Sequence, residues 1–193
     1  MTRALAALAL VPAAAGLSAQ PVQAQAYQCS LPGRIQPPDP PRPDGPVRRL
    51  PITGYTLAAS WSPEFCRSGR DPLGMQCSRR QGRFGFVLHG LWPEGRYAPP
   101  QWCSLTPRPA PALLRQHLCM TPSARLLEHE WAKHGSCMVR TPQAYFGAAA
   151  ALWRAIAWPD ADRLSRRRGL TVGDLRQEFL LANPDWRAGQ LAI

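Results

Sequence analysis

The rhythm of apolar and polar positions changes along the chain. Short apolar runs come first, at residues 52–61 (ITGYTLAASW) and 84–88 (FGFVL), and their length and aromatic content predict strands. SPEFC after the first run predicts a turn, while the second run leads directly into His89-Gly90. Segments with helical character follow. Thr121-Pro122 offers an N-cap and a first-turn proline for a helix running to about His134, with Gly135 as its stop. Thr141-Pro142 repeats that start for QAYFGAAAALWRAIA. Thr171 with Asp174 predicts a capping box opening a third helix that ends near Asn183-Pro184. A further helical stretch, ALLRQHL, carries His117, and the closing QLAI predicts the beginning of a strand. Strands early and helices late predict an α+β fold.

Two segments fall outside this pattern. Residues 1–26 combine Arg3, the apolar run ALAALALVPAAAGL and a small-x-small site at Ala24-Gln25-Ala26, which predicts a secretory signal and an exported protein, secreted or periplasmic. Pro12 and the Ser, Gln and Pro that follow interrupt the run well short of the ~20 apolar residues that a membrane span requires. Residues 27–51 are so rich in proline that they can form neither a helix interior nor a central strand, so an extended surface segment is expected there. The expected domain is 52–193. It is large enough for one core, and the chain's overall 45% hydrophobic content excludes wholesale disorder.

Charge narrows the class of partner. The formal net charge is +11, which points to an anionic partner without choosing between nucleic acid, anionic membrane and acidic polysaccharide. Six cysteines in an exported chain predict up to three disulfides, and the C-x2-C spacing of a structural zinc site is absent.

The chemistry concentrates in two places. The chain has 22 arginines but one lysine, Lys133, and that lysine lies in HEWAKH beside His129, Glu130 and His134. On a helix advancing about 100° per residue, His129, Lys133, Glu130 and His134 share one broad face, with Trp131 directed to the core. The two histidines are five residues apart and diverge by about 140° on that helix, which does not suit the i,i+4 pair of a zinc protease. The second place is FVLHGLWPEG, where His89 is expected at the exit of a buried strand and Trp92 follows with Pro93 behind it. Two imidazoles from separate segments, a carboxylate, a compact cation and an aromatic on a basic protein suit RNA transphosphorylation. One imidazole takes the 2′-OH proton, the other protonates the leaving 5′-oxygen, and the cation stabilises the phosphorane. The sequence does not divide acid and base between His89 and His134.

HGLWP at 89–93 and HEWAKHGSC at 129–137, with YTLAASWSPEFC upstream, resemble the active-site motifs of the T2 family of secreted acid ribonucleases. The resemblance implies an antiparallel sheet with packed helices, and metal-independent endonuclease action on single-stranded RNA; no cofactor and a monomeric protein are expected. Products would be 2′,3′-cyclic phosphates, then 3′-phosphates. By motif position it implies His89, Glu130, Lys133 and His134 as catalytic, and His129 and Trp92 as substrate-binding. It suggests the pairs Cys66–Cys77 and Cys103–Cys137, leaving Cys29 and Cys119 to each other. Trp61, Tyr97 and Trp102 are candidate stacking platforms for bases. Family members usually continue into a further C-terminal strand, and its absence after Ile193 is a departure from the pattern. The alternative is a non-catalytic, basic RNA- or polyanion-binding protein on the same fold. Such a protein would not require His89, His134 and Lys133 together.

Overall fold

A computed structural model describes residues 26–69, 71–104 and 107–193. The expected signal sequence lies outside the described residues, apart from Ala26. Two small antiparallel sheets and seven helices form the α+β architecture among the described residues. Strand β1 (Ala26–Cys29) pairs with β3 (Gly82–Phe84), and β2 (Gly54–Trp61) pairs with β4 (Phe86–Glu94) along its full length.

The helices pack on the β2–β4 ribbon. Helix α1 is Ser62–Arg67, α2 is Pro111–His117 and α3 is Ala124–Glu130. A π-turn, Trp131–Gly135, links α3 to the short α4 (Ser136–Met138). Helices α5 (Pro142–Ala155), α6 (Ala161–Ser165) and α7 (Val172–Ala182) complete the set. The core joins Leu88 and Leu91 of β4 to Leu114, Leu127, Trp131, Tyr145, Phe146, Trp153 and Phe179 from the helices. Each such side chain contributes about 1.5–3 kcal/mol by leaving water.

Several expectations change. SPEFC is the start of α1, nucleated by Pro63 in its first turn, and not a turn alone. The run at 84–88 divides between two strands at Gly85, and β4 continues to Glu94. His89 therefore sits inside a strand and not at its exit. The helix predicted to open at Thr121 is helical without a break from Ala124 to Met138, but neither of its expected ends holds. Ser123 caps it, accepting from Leu126 N, while Thr121 is buried and its hydroxyl donates to Leu88 O at 2.8 Å. Thr121 thus ties the helix entry to β4. Gly135 does not stop the helix: its φ is −59° and the chain stays helical. Glycine is needed there for space, because a Cβ would lie 2.4 Å from Trp131 Cε3 and 2.8 Å from the Tyr145 ring. QLAI is a short 3-10 turn and extended chain, with no strand partner among the described residues.

Helix α5 starts at the Thr141 cap, and α7 opens on the Thr171–Asp174 capping box and ends at Asn183, as the sequence predicts. Disulfides join Cys29 to Cys119, Cys66 to Cys77, and Cys103 to Cys137. The proline-rich segment has no regular structure after β1, yet it is not a free leader. Its residues hydrogen-bond to the loop before α2 and to Gln101.

Candidate active site

The β2–β4 register explains how His89 leaves the sheet. Ala58 pairs with Gly90 and Ala59 with Leu88, so His89 is the extra residue of a β-bulge. A bulge re-aims a side chain without ending the strand. The His89 ring is 40% exposed, with Nδ1 3.4 Å from Ser60 Oγ of β2 and Nε2 3.4 Å from Glu130 Oε1.

The second element is the α3–π-turn segment. The wider turn, with i→i+5 hydrogen bonding, replaces the uniform α-helix on which the sequence-based angles rest, and such turns recur at functional sites. Glu130, its side chain only 4% exposed, ends α3 beneath the bulge. Its Oε2 accepts from Trp92 Nε1 at 2.7 Å and lies 3.9 Å from His134 Nε2. One buried carboxylate therefore meets two imidazoles and an indole from β4 and the π-turn. Gly90 makes the approach possible, since a Cβ there would lie 2.0 Å from Glu130 Oε2.

Trp92 packs between the two histidines, edge-on to His89 with centroids 5.5 Å apart and tilted against His134 at 5.6 Å. Its indole N–H is engaged by Glu130. His134 is buried, and desolvation pushes its imidazole down to about 4, against the opposing pull of the Glu130 carboxylate. Its Nδ1 is buried without a hydrogen-bond partner.

Lys133 and His129 face a neighbouring point. Lys133 Nζ donates to Asp44 Oδ2 at 2.7 Å, and His129 Nε2 lies 3.9 Å from the same oxygen. The cation's closest partner is thus a carboxylate from the proline-rich segment. Desolvation, the largest influence, lowers the His129 imidazole from its ordinary value. The Asp44 carboxyl is held below its ordinary range, chiefly by the Lys133 hydrogen bond.

Trp102 is not an open stacking platform: it is buried, donates from Nε1 to Asp44 Oδ1 at 3.1 Å, and meets His129 edge-on. Tyr97 is exposed beside Arg96, and Trp61 packs partly against the core. His117 lies elsewhere, against Phe146. Sequence reasoning missed Asp44, Ser60 and Gly90. Asp44 sits in an Asp-Gly turn between prolines with no local signal of chemistry, and Ser60 and Gly90 act only through strand pairing.

The profile of the Ribonuclease T2 family matches residues 53–162, which include both histidine segments. The chain is 37% identical over 136 residues to a probable ribonuclease of Haemophilus influenzae, covering 63% of this chain and 49% of that relative. It is 44% identical over 86 residues to a ribonuclease of Aeromonas hydrophila, covering 43% of this chain and 36% of that one. The chain spans about half the length of the curated relatives it matches. The crystal structure of RNase NT in complex with 5′-AMP shares the fold, with a TM-score of 0.53 at 22% identity over 66% of this chain and 71% of that one. The profile match spans more than half of the residues, including both histidine segments: this chain belongs to the Ribonuclease T2 family.

Proposed function

We propose that the protein is an exported endoribonuclease that cleaves single-stranded RNA by metal-independent transphosphorylation, giving 2′,3′-cyclic phosphates and then 3′-phosphates. The observation that carries this reading is the Glu130 carboxylate between two imidazoles, 3.4 Å from His89 Nε2 and 3.9 Å from His134 Nε2. The ribonuclease relatives and the net charge of +11 support an RNA substrate.

The surroundings of the two histidines suggest their division of labour. His134, lowered to about 4, is neutral in mildly acidic solution, the state required to take the 2′-OH proton. The attacking 2′-oxygen forms a bond to phosphorus, the P–O5′ bond breaks, and the leaving oxygen takes a proton from His89. The His89 ring is open to solvent, and its Nε2 lies 3.4 Å from Glu130 Oε1. Glu130 orients both rings, and Trp92 holds Glu130 by its N–H. Lys133 and His129 supply donors for phosphate oxygens.

The test is end-group analysis of single-stranded RNA incubated with the protein in EDTA near pH 5. Fragments ending in 2′,3′-cyclic phosphate are expected, and His89→Ala and His134→Ala should each lower the rate by about 10²–10⁴-fold while RNA binding persists. Turnover retained in either variant overturns the acid–base assignment. Intact RNA with folded, disulfide-bonded protein would favour the non-catalytic binder.

A further inference from the structure

The proline-rich segment delivers a carboxylate to the cations of the candidate site, and the fold holds it there. The segment is anchored at its start by the Cys29–Cys119 disulfide. Along its length the Arg115 and Arg108 guanidinium groups donate to the Pro32 and Pro38 carbonyls. Beyond Asp44, Arg48 forms an antiparallel bridge with Gln101, and Gln101 Nε2 donates to Pro46 O at 2.9 Å. The prolines flanking Asp44-Gly45 restrict the backbone on either side. Gly45 lies so close to Gln101 that a Cβ would fall 2.6 Å from its Nε2.

Two donors and a neighbouring imidazole meet the carboxylate thus presented: Lys133 Nζ donates to Oδ2 at 2.7 Å and Trp102 Nε1 to Oδ1 at 3.1 Å, while His129 Nε2 lies 3.9 Å from Oδ2. Trp102 belongs to a built site. Its side chain is buried, with the residue 8% exposed, its backbone N donates to Lys133 O at 2.8 Å, and Cys103 beside it is bonded to Cys137. Its φ of +55° is a conformation that non-glycine residues rarely adopt.

A carboxylate and a phosphodiester present such donors with the same feature, two oxygens sharing one negative charge. We propose that Lys133, Trp102 and His129 form a seat for a backbone phosphate of RNA, and that the chain fills this seat with its own Asp44, which the phosphate must displace. The proposal rests on the RNA-cleaving reading above; it adds Trp102 as a phosphate donor and Asp44 as an internal competitor. The Asp44 side chain is 49% exposed, so its ion pair is screened and exchangeable, as a displaceable occupant requires. Left in place, it would stand as a like charge beside the entering phosphate.

The experiment measures binding of a 2′-deoxy oligonucleotide, which lacks the nucleophilic hydroxyl and reads the seat whether or not the protein cleaves RNA. Asp44→Asn keeps the shape and an acceptor for Trp102 but removes the charge, and should tighten binding by about three- to tenfold. Asp44→Ser provides a second variant with the carboxylate removed and should also tighten binding. Asp39→Asn removes the same charge from the same segment without touching the seat, and should change affinity by less than about twofold. In a Lys133→Ala background the gain from Asp44→Asn should largely vanish, because the two residues act as a pair. Unchanged or weaker binding by the folded Asp44 variants overturns the proposal, as does equal tightening by Asp39→Asn. A wild-type protein that fails to cleave RNA while these affinity differences persist would refute the catalytic reading and leave the seat standing.

Discussion

Gly90→Ala tests whether the candidate site depends on one missing methyl group. Gly90 is not among the residues with positive φ, so alanine fits its backbone and the effect is one of space. The new Cβ would lie 2.0 Å from Glu130 Oε2, 2.7 Å from its Cδ and 2.8 Å from Trp92 Nε1. The carboxylate must retreat by roughly 1.5 Å to reach ordinary contact distance, and it is too buried to swing into solvent. That movement breaks or stretches the 2.7 Å Trp92–Glu130 hydrogen bond and shifts the carboxylate relative to both imidazoles. Overpacking costs about 1–3 kcal/mol and a charged hydrogen bond about 1.5–3; the two share one displacement, so about 2–4 kcal/mol in total is expected. For a domain of this size that lowers Tm by about 5–15 °C. A 1 Å misplacement of a catalytic group can cost about 10²-fold, so RNA cleavage should fall by at least that factor at temperatures where the variant is folded. Scanning calorimetry and the rate of cyclic-phosphate formation measure the two effects. Gly147→Ala is the control: a Cβ at that position meets nothing within 4 Å, and alanine in the α5 interior should be neutral or stabilising by up to about 1 kcal/mol. A Gly90→Ala protein with native Tm and cleavage within threefold of wild type would refute the packing argument.

Further outcomes follow from the same geometry. Between pH 6.5 and about 4 the unfolded chain holds a proton on His134 that the native state does not, so stability is full above the ordinary value of 6.5 and falls as pH drops toward 4. The loss is of order 3 kcal/mol at about 1.4 kcal/mol per pH unit, and urea midpoints for His134→Asn should show a flatter pH dependence than wild type; parallel curves would contradict the burial argument. The acid limb of kcat/KM should lie near pH 4 if neutral His134 is the base, and a limb above pH 6 would reassign it. Lys133→Arg should lose most of the cleavage rate while keeping its charge, because a planar fork cannot replace a compact ammonium 2.7 Å from Asp44; near-native kinetics would show that charge alone suffices. Thr171→Ala removes the side-chain half of the α7 capping box, leaving the Thr171 backbone N–H on Asp174, and should cost about 1 kcal/mol in chemical denaturation without affecting cleavage.

Local chemistry made much of this molecule legible in the sequence. Thr141 and Thr171 carry their helix starts within four residues, so hydrogen-bonding side chains and periodicity suffice to locate α5 and α7. Proline alone excludes regular structure from most of residues 30–51. The grouping of Lys133 with His129, Glu130 and His134 is likewise a local fact, as is its separation from His89-Gly-Leu-Trp. What required the tertiary structure was everything carried between segments. Thr121 has the chemistry of a cap but donates to Leu88, because packing against β4 offers a buried carbonyl and leaves the cap to Ser123. Gly135 has the chemistry of a helix stop but serves as clearance for Trp131 and Tyr145, and the helix passes through it as a π-turn. His89 is presented by a bulge that exists only in its pairing with β2. Asp44 reaches Lys133 across 89 positions of sequence, a contact that no periodicity can encode because it depends on where the proline-rich chain is tied down. The sequence by itself determined which groups the chain has for chemistry and where several helices begin; long-range packing decided which of those groups meet, because distances between segments are set by the core and not by the local backbone.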